Sequence, residues 1–537
     1  MDSRTRRELG GSALVFTATA LFVWWLAGNR FVPILDEGIY LDGALRIVKG
    51  QVPYRDFFVL TGPGAFWLHA ALFRLLGVSF GHAHLTLVFD IAILAALVFW
   101  LTSRFARGAI AVLVTICFVV FGTADPHILV LNHRWDSAVW GLSAVALVLL
   151  AAERPGRLIP AAAGLFAASA AWFTPSMGVL TLLLAAWLAA FRESRRVLPW
   201  FLAGGAVVSA CSLAALAVSG ALEPFIRHML WTAANYAGPN RVPYGAVAGG
   251  YWSLLRDARG AEWFIRVLVI GCIALPAILP PLTLAGFAAS FRRWPACGIP
   301  LRSVLLLLLS MTVMVVSTYP RWDIGHLLYV SPLSFVLSGW LAGACLSRRV
   351  QRLFALAPLL LAAVFAISSV QTRLALSSAA TRGGWITATP QDLALIRAVE
   401  HHIPAGETLF VFPYMPVLYF FTQAENPTRY CFLQPGMMTG KDEQSVLAGL
   451  RARPPRWVVY SNIPPSSYLG LFPSSDRARL RMPGIEEFIR TNYEQVAAHT
   501  HWKATYQVLK RRESPHAAGP AEPLPPPSPP ASTPRGA

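Results

Sequence analysis

Two adjacent carboxylates, Asp36 and Glu37, sit a few residues past the first apolar stretch, in a segment that runs Leu35-Asp36-Glu37-Gly38-Ile39-Tyr40-Leu41-Asp42. Acids at the lip of a membrane cavity cost free energy to hold in place, which argues for a chemical role. The chemistry that fits is general-base catalysis, in which a carboxylate takes the proton of an acceptor hydroxyl during group transfer. The same segment continues through Val52-Pro53-Tyr54-Arg55-Asp56-Phe57-Phe58 and Thr61-Gly62-Pro63-Gly64, adding a second charged pair, Arg55 and Asp56.

Two later segments carry similar mixtures. One is Asp125-Pro126-His127 followed by Asn132-His133-Arg134-Trp135-Asp136, and the other is Tyr319-Pro320-Arg321-Trp322-Asp323-Ile324-Gly325-His326. Both flank apolar runs, so the three segments can converge on one cavity between helices. A belt of interfacial aromatics with snorkelling cations accounts for Trp24, Trp25, Trp231 and Trp263. It does not account for carboxylates beside arginines in two separate loops. A lipid-linked phosphate at the interface needs a guanidinium fork or an imidazole to hold its oxygens. Arg134 and Arg321 are the leading candidates, with His133 and His326 beside them and Arg55, Asp56, Asp136 and Asp323 completing the substrate-binding set. A carboxylate to deprotonate a hydroxyl and cations to stabilise a departing phosphate are what a lipid-dependent glycosyl transfer requires.

The elements that must position these residues are membrane helices. The chain has 537 residues, 55% of them hydrophobic and 13% charged, with a mean hydropathy of +0.52. That balance belongs to a polytopic membrane protein. A net charge of +18 would suggest nucleic acid in a soluble chain. Here the cations cluster in short loops between apolar runs, and no nucleic-acid partner is expected. Apolar segments fall at 12–28, 84–102, 108–122, 138–152, 158–173, 176–191, 198–219, 263–289, 303–318, 327–346 and 353–370. Alternate loops hold the arginines: Arg4, Arg6 and Arg7; Arg104 and Arg107; Arg154 and Arg157; Arg192, Arg195 and Arg196; Arg292, Arg293 and Arg302; Arg348, Arg349 and Arg352. The positive-inside rule places these in the cytoplasm, giving about eleven spans with the N-terminus inside and the chemistry outside. The 158–191 stretch is expected to break at Phe173-Thr174-Pro175, and a single re-entrant segment there would invert everything downstream. In the first outer loop, Glu37–Val48 and Ala65–Leu76 have helical apolar spacing and are expected to lie along the interface, joined by a Tyr54–Phe58 turn.

Beyond about residue 371 the composition turns mixed. Strands are expected at 408–412, 457–460 and 505–509, and helices at 391–401, 443–451 and 485–492, which makes 371–512 a small extracytoplasmic α/β domain behind a 1–370 transmembrane catalytic domain. This part lacks a phosphate-binding glycine loop and is expected to act in acceptor binding or as a lid. The proline-rich tail, 513–537, is expected to be disordered. The six cysteines are scattered, with only Cys431 in the exported part, so no structural disulfide is expected. The His82/His84, His401/His402 and His499/His501 pairs lack a carboxylate or cysteine at helical spacing, and neither metal nor cofactor is expected.

The Leu35-Asp36-Glu37 segment after the first helix, the Pro53-Tyr54-Arg55-Asp56-Phe57 turn and Gly62-Pro63-Gly64 resemble the GT-C membrane glycosyltransferases. The resemblance is to bacterial family 39-like enzymes related to protein O-mannosyltransferases and lipid A aminoarabinose transferases, and it is strongest over residues 1–140. It implies a polyprenyl-phosphate sugar donor, inversion at the anomeric carbon, Asp36 as base and Glu37 as its positioning neighbour. It also implies a bacterial inner-membrane location with membrane lipids as surroundings. The chain has no Asp-x-Asp, which disfavours a metal-bridged nucleotide sugar, and no β-trefoil segment, which puts a protein acceptor in doubt; the acceptor could be lipid, glycan or protein. Two other classes share some features. A transporter or flippase of lipid-linked sugars would share the helices and the arginines, but it would bind near the midplane in repeated halves. A non-catalytic scaffold would work through the exported domain alone.

Overall fold

The computed structural model describes residues 3–512 except 155, 248–249, 292–298, 346 and 502–503. The expected tail at 513–537, Cys297, and Arg292 with Arg293 lie outside the described residues. The first third of the chain forms α1 (Ser3–Ala27), α2 (Leu35–Val48), α3 (Gly64–Leu76), α4 (Phe80–Ser103), α5 (Gly108–Thr123) and α6 (His133–Glu153). There follow α7 (Leu158–Phe173), α8 (Gly178–Ala190), α9 (Leu198–Val218), α10 (Leu222–Asn235), α11 (Tyr251–Leu255) and α12 (Ala261–Ile273). Five more, α13 (Leu275–Ser290), α14 (Leu301–Ser317), α15 (Ile324–Tyr329), α16 (Pro332–Cys345) and α17 (Arg348–Leu374), complete the helical body.

Each expected apolar segment falls on one of these helices, except two: 263–289 is split into α12 and α13 with a 69° bend, and 327–346 begins in α15 and continues in α16. Arg6–Ala27, Phe80–Ser103, His133–Glu153 and Ser194–Val218 are by themselves long and apolar enough to cross a membrane. Shorter apolar helices fill the remaining positions, and the 158–191 stretch breaks at Thr174 as the sequence suggests. The two helices expected in the first outer loop are α2 and α3. Between them the Tyr54 turn is closed by the Tyr54 N–H donating to the Phe57 carbonyl at 2.9 Å.

The remainder is β1 (Ser377–Thr381), β2 (Gly384–Ala388), α18 (Pro390–His402), β3 (Leu409–Phe412), α19 (Val417–Thr422), α20 (Gly440–Ala452), β4 (Trp457–Asn462), α21 (Pro465–Leu471), α22 (Pro483–Asn492), β5 (Tyr493–His501) and β6 (Ala504–Arg511). β1 and β2 form a hairpin, and the larger sheet has the order β3-β4-β6-β5, parallel only between β3 and β4. The three expected strands are β3, β4 and β6. β1, β2 and β5 are the unexpected ones. β1 is all Ser, Ala and Thr, and β5 is a polar edge strand that pairs only with β6 and carries a bulge between Gln495 and Ala497. Neither offers the apolar signal by which strands are recognised.

This α/β part is bound tightly to the first outer loop. Backbone bonds link Phe31 N–H to Thr387 O at 2.9 Å, Thr387 N–H to Asn29 O at 2.7 Å, and Phe58 N–H to Arg429 O at 2.8 Å. Phe421 packs on both Phe31 and Phe80, and Phe420 on Phe73, so one apolar core runs from the helices into α19. A side chain on Gly38 would place its Cβ 2.4 Å from the Val417 backbone nitrogen, so α2 approaches α19 as closely as a glycine permits. A Cβ on Gly62 would come 2.0 Å from the Trp172 carbonyl oxygen, which seats the loop before α3 against the end of α7.

Candidate active site

Asp36 lies in the first turn of α2 and Glu37 follows it, but their surroundings differ. Asp36 Oδ2 accepts a 2.8 Å hydrogen bond from the Asn132 side-chain amide. Asn132 is also the N-cap of α6, its Oδ1 accepting from the Arg134 backbone N–H at 2.9 Å. The cap occupies the amide oxygen, so the NH2 group must be the end that faces Asp36. Glu37 points the other way, fully buried. Its Oε1 meets His84 Nε2 at 2.7 Å and accepts from the Leu131 backbone N–H at 3.3 Å. His84 Nδ1 is 2.7 Å from the Ala27 carbonyl oxygen, which only accepts, so Nδ1 carries a proton. The short His84–Glu37 contact therefore needs one further proton, held on Nε2 or on the carboxyl. In either state the pair clamps α2 to α4, while residues 131 and 132 hold both acids of the dyad.

The second and third loops meet Asp36 from the other side. The charges of His326, Arg321, Arg134 and Asp323 all act on its carboxyl. Burial pushes the Asp36 carboxyl above the usual carboxylate range, and His326, Arg321 and Arg134 pull it back. Arg134 is buried, with 8% of its surface exposed, and among the described residues its guanidinium makes no hydrogen bond or ion pair. Arg321 donates to Asp323 Oδ2 at 2.9 Å and to the Leu471 carbonyl at 3.1 Å, and it stacks over the Phe472 ring. Asp323 caps α15 by accepting from the His326 N–H, and its Oδ1 lies 2.9 Å from His326 Nδ1. Burial opposes ionisation of Asp323, but His326 and Arg321 outweigh it and hold the carboxyl well below its ordinary value. Burial in turn lowers the His326 imidazole, against the pull of Asp323. The result is an oriented, carboxylate-backed imidazole beside an arginine.

The remaining candidates are placed differently. His133 Nδ1 contacts Thr174 Oγ1 at 2.6 Å, and its ring packs 5.9 Å from that of Tyr40, one turn along α2 from Asp36. Asp136 faces Asp90 of α4, and the two carboxyls hydrogen-bond to each other, which requires one of them to be protonated. Arg55 and Asp56 form a bidentate pair with both bonds at 2.8 Å, and Asp56 also accepts from Val52 N–H at 2.7 Å. That pair braces its own turn, and neither member is among the leading charges on Asp36.

Several site residues escaped the sequence reading. The charge of Asp36 acts on the hydroxyls of Tyr40, Tyr236, Tyr329 and Tyr414, from four separate elements. Tyr414, Leu471 and Phe472 come from the α/β part, which therefore closes over the site. The loop after α10 is stitched to the third loop by Val242 N–H to Pro320 O at 3.0 Å and Gly245 N–H to Trp322 O at 2.8 Å. Asn132 could have been found from its place before an apolar run, the ordinary position of a helix cap. His84, 47 residues from Glu37, left no such signal. The described residues contain no group of three or more metal-ligating side chains.

No family model matches the sequence, and no curated protein matches it. Among the solved structures that match it in fold are two of ArnT from Cupriavidus metallidurans. The structure bound to undecaprenyl phosphate has a TM-score of 0.53 at 14% identity, and the apo structure has 0.53 at 13%. Each match covers 93% of this chain and 98% of the other. The helical body and the α/β part together thus have the GT-C-type membrane fold of ArnT, in agreement with the resemblance read from the first outer loop.

Proposed function

We propose that this chain is an integral membrane glycosyltransferase that moves a sugar from a polyprenyl-phosphate donor to an acceptor hydroxyl at the outer face of the membrane. The observation that carries the proposal is the buried Arg134 guanidinium, unpaired among the described residues and sharing one charged cluster with Asp36. A buried cation with no carboxylate partner is suited to an anionic ligand, and a fork of N–H donors suits phosphate oxygens. The ArnT of similar fold binds undecaprenyl phosphate in one of its structures, which supports a donor of that class.

In this reaction the acceptor oxygen attacks the anomeric carbon from the face opposite the phosphate. The carbon–oxygen bond to the phosphate breaks, the polyprenyl phosphate leaves, and the anomeric configuration inverts. Asp36 takes the proton of the acceptor hydroxyl, and burial keeps that carboxylate basic enough for the task. Arg134, Arg321 and His326 stabilise the charge that grows on the leaving phosphate. Asp323 orients His326, while Glu37 with His84 holds α2 in register.

The test is Asp36→Asn, assayed with purified protein in liposomes supplied with polyprenyl-phosphate sugar. Transfer is expected to fall by about 10²–10⁴-fold, the range for loss of a positioned general base. Binding of undecaprenyl phosphate should persist. Full transfer by the variant would remove Asp36 from the mechanism. Passage of the lipid-linked sugar across the bilayer without transfer to any acceptor would indicate a flippase.

A further inference from the structure

Two cavities lie on either side of the Arg55–Ser219 hydrogen bond, away from the Asp36 cluster. One, of about 250 Å³, is mostly apolar and lies among the ends of α2, α3 and α9, with Ile47, Trp67 and Leu216 in its walls. The other, of about 170 Å³, is lined by Tyr54, Arg55, Pro224, Arg227, His228 and Arg429. Arg55 donates to the Ser219 carbonyl at 3.0 Å, and Ser219 and Pro53 line the apolar cavity while Arg55 and Tyr54 line the other, so the two spaces share a wall.

The second cavity is electropositive. The charge of Arg55 is balanced by Asp56 and that of Arg227 by Glu223. Arg429 has no carboxylate within ion-pairing distance among the described residues. Its Nη2 donates to the Tyr54 carbonyl at 3.0 Å and faces His228 Nε2 at 2.6 Å, and its Nε is buried without a partner. Beside this wall, α10 exposes Ile226 and Leu230, 51% and 66% accessible and one turn apart, directly flanking Arg227. An exposed apolar stripe ending at an arginine is the signature of a helix that lies in the lipid interface.

The geometry points to a binding site for an anionic phospholipid, with the phosphate in the arginine-lined cavity against Arg429 and Arg227 and one acyl chain in the apolar cavity under Trp67. The adjacency of a basic and an apolar space decides for a lipid over a free phosphate, which would use only the basic one. The site shares no residue with the charged cluster around Asp36, so the inference stands whether or not Asp36 is the base.

The experiment uses the full chain in detergent with a photoreactive phosphatidic acid that carries a diazirine in one acyl chain. Crosslinks should map to the peptides containing 47–53, 67–74 and 215–219. Arg429→Gln should lower that labelling about tenfold, as expected for one charged hydrogen-bonding partner. Arg429 also braces the Tyr54 turn, so Arg227→Glu, at an exposed position, supplies a second variant that leaves the brace intact and should lower labelling at least as far. Equal labelling by the matching diacylglycerol probe, or labelling indifferent to both variants, would overturn the proposal. So would tight binding of inorganic phosphate with no acyl-chain labelling of these peptides.

Discussion

Asn132 performs two tasks with one amide, and replacing it separates the fold from the chemistry. Its oxygen caps α6 and its NH2 holds Asp36 at 2.8 Å. Loss of an N-cap costs about 1 kcal/mol of stability. A hydrogen bond to a charged group contributes roughly 1.5–3 kcal/mol. It favours the ionised form of Asp36, so its removal should raise the Asp36 pKa. Asn132→Ala should therefore lower thermal stability modestly and move the acid limb of the kcat/KM profile for sugar transfer to higher pH. Asn132→Asp keeps a good cap and sets a second carboxylate against Asp36. It should retain most of the stability and shift the acid limb at least as far upward. The measurement is transfer in liposomes across the acid and neutral range, with thermal unfolding of each variant alongside. An acid limb in Asn132→Ala that overlays the wild-type limb would refute the reasoning, because a 2.8 Å bond to the base would then have no effect on its titration.

Arg134→Gln should weaken equilibrium binding of undecaprenyl phosphate by about 10–100-fold, the equivalent of a lost charged hydrogen bond, and unchanged affinity would exclude Arg134 from the phosphate site. It should also raise the acid limb, since Asp36 loses one of the cations that pull its carboxyl down. His84→Ala leaves the fully buried Glu37 carboxylate without its partner and should destabilise the protein by about 3–5 kcal/mol, seen as a lower Tm in detergent; Glu37→Gln together with His84→Ala should recover part of the loss. Burial raises the Asp42 carboxyl from 3.8 to about 6, with Arg46 and Lys49 opposing. Its neutral form therefore favours the folded state below pH 3.8, and that contribution disappears as pH rises through about 6. Asp42→Asn should flatten the dependence of Tm on pH across that window, and an unchanged slope would count against the assignment.

What the sequence by itself determined is local. Apolar runs separated by arginine clusters are legible because hydropathy and charge are summed along the chain, and so the helices sit where the composition puts them. The caps of α6 and α15, Asn132 and Asp323, are legible for a similar reason, since each closes a hydrogen bond within three residues. Packing between distant segments decided the rest. Arg55 and Asp56 looked like ligands of the site, yet a pair adjacent in sequence satisfied itself and left the cluster. Asp136 found Asp90, and Glu37 found His84, across helix contacts that no periodicity encodes. Tyr414 and Phe472 reach the site from the α/β part, whose α19 packs on α2 at Gly38. A charge can be read from the chain, whereas its partner depends on which helix faces its own, and only the folded arrangement supplies that.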